Sequence, residues 1–160
     1  LFVFFYLLTI ERDPSKIPSN LLNKNFPNFE SESLLKENKF IALEEFKNEK
    51  ILVNFFASWC KPCRDEHDYI LQFSKVENLK VIGINYKDNS EKAISWLNKL
   101  GNPYSKIAID KNGAIAINWG VYGIPETFII NSKGTVKYRH VGPVTKKIYK
   151  EINSLIKEIK

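Results

Sequence analysis

One stretch decides the fold of this 160-residue chain: Ile51-Leu52-Val53-Asn54-Phe55-Phe56-Ala57-Ser58-Trp59-Cys60-Lys61-Pro62-Cys63. Its first six residues form a short, mostly apolar run, which predicts a buried strand. Two cysteines follow directly, where the spacing of apolar residues predicts a helix over 60–76. Pro62 suits the first turn of a helix, where the backbone N–H has no intrahelical partner to lose. The stretch therefore predicts a strand that leads into a helix with a cysteine pair at its N-terminus.

Strands and helices alternate along the rest of the chain, and a hairpin comes late. Residues 34–46 predict a short strand or hairpin and one helical turn. Ser90 and Thr145 are the expected N-caps of two helices. The other predicted elements are strands over 81–84, 106–110, 127–130 and 135–141, and helices over 91–100, 114–119 and 145–160. Early alternation predicts parallel strands joined by helices, and the hairpin predicts an antiparallel addition. The fold class expected is α/β, with a mixed central sheet flanked by helices.

The N-terminal residues predict a different kind of segment. Residues 1–10 are apolar apart from Thr9, but a membrane-spanning helix needs about 20 such residues. We expect a truncated membrane anchor over 1–10, a proline-containing linker over 11–25 and one domain over 26–160. The alternative for 1–10 is a strand or helix packed on the domain.

Charge and cysteine content narrow the function classes. The net charge is +6, but the Lys and Arg residues are spread along the chain and often adjoin Glu or Asp, so nucleic-acid binding is not expected. The chain has only two cysteines, too few to cross-link a domain of this size as small secreted proteins are cross-linked. They predict a site, and no metal or other cofactor is expected beyond the redox-active cysteine pair itself.

The position of the cysteines assigns their roles. A helix N-terminus presents unpaired N–H groups and partial positive charge, which favour a thiolate at Cys60. Lys61 and Arg64 add positive charge nearby. Because the thiolate is the attacking species, Cys60 is predicted to be the exposed nucleophile. Cys63, one turn further, is predicted to be the shielded thiol that resolves the mixed disulfide, and Trp59 is expected to cover the rim of the site.

Three other interpretations of the cysteine pair fit the sequence less well. A zinc site would combine the cysteines with His67 and His140, but no second ligand pair has the usual spacing, and His140 fits better as a packed strand residue. Covalent haem attachment needs His directly after the second cysteine, where this chain has Arg64. An inert disulfide would close a loop too short to stabilise the fold appreciably.

Residues 55–64 resemble the active-site stretch of thioredoxin-like proteins. More narrowly, the chain resembles the thiol–disulfide interchange proteins of cytochrome c maturation, the CcmG/DsbE family, over about residues 13–150. The most specific match is Gly120-Val121-Tyr122-Gly123-Ile124-Pro125-Glu126-Thr127-Phe128. Further matches are Asp13-Pro14, Ile17-Pro18-Ser19, Asp65-Glu66-His67, Gly83-Ile84-Asn85-Tyr86-Lys87-Asp88, Ala93-Ile94-Ser95-Trp96-Leu97, Gly101-Asn102-Pro103-Tyr104 and Tyr138-Arg139-His140.

The resemblance implies a thioredoxin fold with a helix-bearing insertion over about 85–104. It also implies a protein anchored by its N-terminus at the periplasmic face of the bacterial inner membrane. Such a protein would reduce apocytochrome c, or the factors that handle it, before haem attachment. A membrane thiol-reductant transporter would re-reduce it. The alternative is a general extracytoplasmic reductase of the same fold that is not tied to cytochrome c.

The resemblance also implies roles for residues outside the cysteine pair. Pro125 is expected to be cis, which would leave the backbone near Ile124 free to pair with a substrate strand. Asn54 stands where thioredoxins carry a buried Asp, so the proton acceptor for Cys63 would be Glu66 or Glu126. Trp59, Ile124 and the middle residues Lys61 and Pro62 would contact the substrate. Lys61-Pro62 departs from the Pro-Thr often found in this family, which bears on the reduction potential.

Overall fold

The computed structural model describes residues 21–36 and 39–159. The predicted anchor over 1–10 and the first part of the predicted linker lie outside these ranges. Within them, none of the helices has the length and apolar character needed to cross a bilayer. The strands are β1 (Glu30–Glu32), β2 (Phe40–Ala42), β3 (Lys50–Phe56), β4 (Leu79–Tyr86), β5 (Lys106–Asp110), β6 (Glu126–Ile130) and β7 (Val136–Val141). The α-helices are α1 (Lys61–Phe73), α2 (Ser90–Leu100), α3 (Ala114–Asn118) and α4 (Lys146–Glu158), and a 3-10 helix spans Leu43–Phe46.

Five strands form one mixed sheet in the order β5-β4-β3-β6-β7. The pairs β3–β4 and β4–β5 are parallel, as expected for strands joined by helices, whereas β3–β6 and β6–β7 are antiparallel. The short strands β1 and β2 pair separately. The mixed sheet with helices on both faces confirms the predicted fold class, and α2 lies within the helix-bearing segment expected over about 85–104.

The two faces of the sheet carry separate hydrophobic layers. Helices α1, α2 and α4 cover one face through buried side chains such as Ile70, Trp96 and Ile152. The 3-10 helix and α3 cover the other face through Leu43 and Ile115, next to the fully buried Trp119. Because side chains alternate along a strand, neighbouring residues of β3 and β6 belong to different layers. This alternation determines which polar side chains can meet beneath the cysteines.

Residues 21–25 differ from the prediction of a linker. The backbone N–H of Asn23 donates to Val136 O over 2.8 Å, and that of Phe26 donates to Gly134 O over 3.1 Å. Asn25 also forms an isolated bridge with Thr135. The segment is therefore attached to the outer edge of the β6–β7 hairpin, whose backbone groups would otherwise have no protein partner.

The helix ends follow the sequence closely, with one change. The side chain of Asn89, not that of Ser90, accepts the capping hydrogen bond of α2, from Lys92 N over 2.9 Å. Thr145 caps α4 as predicted, and α2 ends at Gly101 with φ 92°, a conformation that favours glycine. Strand β4 extends beyond 81–84 at both ends because its flanking residues also pair with β3 and β5.

Candidate active site

The cysteine pair lies at the junction between β3 and α1. Cys60 is the N-cap residue of the helix, with extended backbone angles, and Pro62 lies in the first turn. Cys60 and Cys63 are joined by a disulfide. The backbone N–H of Cys63 points at Cys60 Sγ over 3.1 Å. An N–H donor aimed at this sulfur stabilises a thiolate when the pair is reduced, as a helix N-terminus does for any anion.

Burial of the two cysteines corrects one expectation. Cys60, predicted to be exposed, is 4% exposed, against 2% for Cys63. The loop before Pro125 packs on it, and Ile124 O lies 3.8 Å from Cys60 Sγ. The residues around it are the exposed ones: Lys61 and Pro62 follow it on the surface, and Trp59 is 59% exposed. The exposed surface of the site is therefore formed by Trp59, Lys61 and Pro62, with the loop at Ile124 against Cys60 Sγ.

Pro125 and Ile124 lie where the resemblance implied. The Ile124–Pro125 peptide bond is cis, and Pro125 is buried at the start of β6. Pro125 O accepts a hydrogen bond from Gly142 N over 3.0 Å, which ties this loop to the end of β7. Ile124 remains half-buried beside Cys60. Its backbone is thus held at the site without belonging to a strand, as a substrate-pairing segment needs to be.

Asp88 fixes the turn that precedes the cysteines, a role that sequence reasoning missed. Its carboxylate accepts from Ser58 N over 2.6 Å and from Ser58 Oγ over 2.8 Å. It also accepts from Asn85 Nδ2 over 3.0 Å. Next to it, Trp59 Nε1 donates to Lys87 O over 3.1 Å. The loop after β4 therefore holds the residues before Cys60, a connection that the spacing of residues in the sequence does not reveal.

Glu66 lies buried on the same face of the sheet as the cysteines. It is three residues after Cys63 on α1, and the two side chains share the buried face of the helix. Glu66 Oε1 accepts from Asn54 Nδ2 over 2.8 Å, and Oε2 accepts from Val144 N over 2.7 Å. Tyr104 Oη in turn donates to Asn54 Oδ1 over 2.7 Å. A chain of hydrogen bonds thus leads from Tyr104 to Glu66 under the cysteine pair.

The buried surroundings of Glu66 make it a weaker acid than an exposed glutamate. Burial raises the pKa of Glu66 from 4.5 to about 7, although the hydrogen bonds from Val144 and Asn54 favour the ionised form. No cationic side chain of the described ranges lies within 4.0 Å of its oxygens. A carboxyl with a pKa near neutrality can both accept and return a proton at physiological pH.

Glu126 has a different environment. Arg139 Nε donates to Glu126 Oε2 over 2.8 Å, Arg139 Nη2 lies 2.8 Å from the same oxygen in an ion pair, and both side chains are almost fully buried. Tyr122 N donates to Glu126 Oε1 over 3.0 Å, and Arg139 Nη2 donates to Gly120 O over 2.7 Å. This ion pair holds the loop that leads to Pro125.

The sheet register places Glu126 and Glu66 on opposite faces. Asn54 pairs with Thr127 across β3 and β6, and Asn54 Nδ2 lies 3.2 Å from Thr127 Oγ1. Because successive side chains point to opposite faces, Glu126 points away from Asn54 and the cysteine face. It lies instead in the layer that contains Phe128. Of the two proton acceptors expected, the structure brings only Glu66 to the face with the cysteines.

Both histidines are bound to backbone carbonyls. His67 Nε2 lies 2.9 Å from Gly101 O, and burial lowers its pKa. His140 is buried in β7, with Nε2 3.2 Å from Pro143 O. In the described parts of the chain, no three His, Cys, Asp or Glu side chains are grouped as metal ligands. The zinc interpretation therefore gains no support from the positions of these side chains.

The profile of the Redoxin family matches residues 21–156. The thiol:disulfide interchange protein DsbE of Vibrio cholerae is 44% identical over 139 residues, which cover 87% of this chain and 75% of that protein. The chain belongs to the DsbE thiol:disulfide interchange proteins of the Redoxin family. The family member CycY of Rhizobium leguminosarum is 51% identical over 105 residues, which cover 66% of this chain and 56% of CycY.

The DsbE-type fold is also found among solved structures. A DsbF homologue from Corynebacterium diphtheriae superposes with a TM-score of 0.75 at 20% identity, covering 85% of this chain and 87% of that one. At this identity the likeness concerns the fold alone. Together with the Cys60–Cys63 disulfide, family membership makes this DsbE relative a thiol–disulfide oxidoreductase. The cysteine pair itself carries the two electrons that such a reaction exchanges.

Proposed function

We propose that this oxidoreductase reduces disulfides of apocytochrome c, or of the factors that handle it, before haem attachment. The observation that carries the proposal is the Gly120–Phe128 stretch, the part of the sequence most specific to the cytochrome c maturation family. Its Ile124 O lies against Cys60 Sγ, and its Glu126 is held by the buried Arg139. The most family-specific segment thus forms the wall of the site where a substrate strand would pair.

The reaction requires two exchanges that balance in atoms and electrons. The Cys60 thiolate attacks one sulfur of the substrate disulfide, so that a mixed disulfide forms and the other substrate sulfur leaves as a thiolate that takes up a proton. The Cys63 thiolate then attacks Cys60 Sγ and displaces the second substrate thiolate. The substrate gains two electrons and two protons, and the Cys60–Cys63 disulfide is regenerated.

Glu66 is the proton acceptor that we assign to the second exchange. Cys63 must lose its proton before it attacks, and Glu66 is the ionisable carboxyl on the same buried helix face. Its pKa of about 7 leaves about half of it ionised at neutral pH. Glu126 instead has a positioning role, because its ion pair with Arg139 and its bond from Tyr122 N hold the loop beside Cys60.

The proposal also covers the cellular location of the protein and the source of the electrons that re-reduce it. The N-terminal segment, residues 1–10, would anchor the domain at the periplasmic face of the bacterial inner membrane. A membrane thiol-reductant transporter would return the enzyme to its dithiol form by the same two exchanges run in reverse. That step supplies the two electrons and two protons that the substrate receives.

A trapping experiment tests the substrate. Replacing Cys63→Ser removes the resolving thiol, so the mixed disulfide between Cys60 and the substrate accumulates. We expect the variant to trap an oxidised apocytochrome c peptide that contains the haem-attachment cysteines at least tenfold faster than disulfide peptides of unrelated sequence and equal net charge. The double variant Cys60→Ser with Cys63→Ser is the control for nonspecific adducts. Equal trapping of all peptides would contradict the narrow assignment and leave a general reductase.

A further inference from the structure

An open groove of about 510 Å³ adjoins the cysteine site and is not used in the reaction above. It lies between the start of α1 and one side of α2, and we name it the α1–α2 groove. Trp59 and Arg64 line it beside the cysteines, and Lys92, Trp96 and Lys99 line it along α2. Because Trp59 directly precedes Cys60, a chain bound at the nucleophile can extend into the groove.

The aromatic wall of the groove is exposed and fixed. Trp59 has 59% of its surface exposed, although its Nε1 is held by Lys87 O at 3.1 Å. The turn that carries it is held by the bonds from Ser58 to Asp88. Trp96 is buried at the base of the groove and packs on Phe56 and His67. An exposed indole that loses little freedom on binding is typical of residues that dominate protein interfaces.

The charged residues of the groove are unbalanced. Arg64, Lys92 and Lys99 are exposed, and none of them has a carboxylate within 4.0 Å among residues 21–36 and 39–159. Glu91 is the sole carboxylate that lines the groove in those ranges. Lys61 adds a further exposed cation next to Cys60. In contrast, Lys106, on the edge strand of the sheet, is paired with Glu45.

We propose that the α1–α2 groove binds an acidic segment next to the reacting cysteine of the partner, so that polypeptides with clustered Asp or Glu there are the preferred substrate class. This rests on the proposed function, because the segment enters from a disulfide bound at Cys60. Lys92 and Lys99 are two turns apart on α2, about 10 Å along the helix. About three extended residues span that distance, so a short acidic run can reach Arg64 and both lysines.

The test uses two cyclic disulfide peptides of equal length and of a sequence unrelated to cytochromes. One carries three glutamates beside its first cysteine, and the other carries three glutamines. The reduced wild-type protein should reduce the acidic peptide about tenfold faster at low ionic strength, because three exposed ion pairs and steering each contribute modestly. The preference should fall below twofold at about 1 M salt, where the Debye length is about 3 Å. Rates with dithiothreitol correct for differences in intrinsic reactivity.

Two charge-reversal variants distinguish the effect of the cations in the groove from the effect of the protein's net charge. Lys92→Glu with Lys99→Glu should abolish the preference while leaving reduction of the glutamine peptide within twofold. Lys150→Glu with Lys157→Glu changes the net charge equally on exposed positions of α4 and should retain the preference. Equal rates for both peptides with wild type, or equal losses in the two variants, would overturn the proposal. The cytochrome c assignment is judged separately by the trapping experiment, because neither peptide here has a cytochrome sequence.

Discussion

Glu66 and Glu126 are two buried carboxyls on opposite faces of one sheet, and they differ in what compensates their burial. Glu126 is balanced by Arg139, whose Nε donates to Glu126 Oε2 while Nη2 lies 2.8 Å from the same oxygen. Glu66 receives only neutral donors, Asn54 and Val144. Burial without a cation raises the pKa of Glu66 to about 7, whereas the ion pair with Arg139 gives Glu126 a structural role. Burial alone therefore does not identify a catalytic acid, and the partner of the carboxyl decides.

The largest expected effect comes from removing the cation of the Glu126 pair. Arg139→Met leaves Glu126 buried without its partner, which should lower the free energy of unfolding by about 3–5 kcal/mol. Urea unfolding of the oxidised protein at pH 7 measures this loss. The double variant Glu126→Gln with Arg139→Met removes both charges and should recover at least half of it. A loss below about 1 kcal/mol in the single variant would show that Arg139 does not compensate the burial of Glu126. The contrast with Glu66 would then not hold.

The next effect concerns the pH dependence of stability. The pKa of Glu66 rises from 4.5 to about 7 on folding, so between these pH values the folded state binds more protons than the unfolded state. The contribution of Glu66 to stability is therefore fully present below about pH 4.5 and is lost as the pH rises through 7, by about 3 kcal/mol in total. Glu66→Gln removes this titration. The difference in unfolding free energy between wild type and variant, measured from pH 4.5 to 8, isolates it, and a constant difference would contradict our assignment.

A smaller effect is expected on catalysis. An unassisted thiol with a pKa of about 8.5 is about 3% ionised at pH 7, so loss of the base should slow the second exchange by at most about thirtyfold. Reduction of a protein disulfide by Glu66→Gln should be slow at pH 7 and approach the wild-type rate above pH 9. Asp65→Asn, an exposed carboxylate on the same helix, is the matched control. An equal slowing of Glu66→Gln at every pH would indicate a structural role only.

The smallest effect tests the hydrogen bonds that orient Asn54 toward Glu66. Tyr104→Phe removes the donor to Asn54 Oδ1 and leaves a buried acceptor unsatisfied, which should cost about 1 kcal/mol of stability. Tyr69→Phe, whose ring packs on Tyr149, is the control and should cost less than about 0.5 kcal/mol. Equal losses of unfolding free energy in the two variants, measured by thermal or urea unfolding, would show that the Tyr104 hydroxyl does not stabilise the hydrogen bonds between Tyr104, Asn54 and Glu66.

Much of the site could be predicted because it is encoded by local spacing. Cys60, Cys63 and Glu66 recur at the spacing of one helix face, so their proximity follows from α1 itself. The face on which Glu126 lies could not be predicted in the same way. Alternation along β6 places Glu126 on the same face as Phe128. Only the pairing of Asn54 with Thr127 determines that this face is opposite to the one with the cysteines. That register is a long-range property, as is the contact of Arg139 with Glu126.

The fold shows the same division between local and long-range information. The α/β order and nearly all elements follow from hydrophobic periodicity and capping residues. Residues 21–25 fall within the predicted linker because the prolines and polar residues of 11–30 say nothing about pairing with the edge of the β6–β7 hairpin. The brace from Asp88 to Ser58 was missed for a similar reason, since two loops at the ends of neighbouring strands approach only after the sheet has formed.

Gly83 links the sheet to the network beneath the cysteines. A Cβ at this position would lie 2.9 Å from Phe56 Cε1 and 3.0 Å from Tyr104 Cγ, where the two rings stack with centroids 4.7 Å apart. Any larger residue must displace Phe56 or the Tyr104 ring stacked on it, whose hydroxyl donates to Asn54 Oδ1. Positions 83 and 104 are therefore expected to covary: among relatives that carry Asn at position 54, a tyrosine at 104 should occur only with glycine at 83, and a side chain at 83 should be accompanied by a smaller residue at 104.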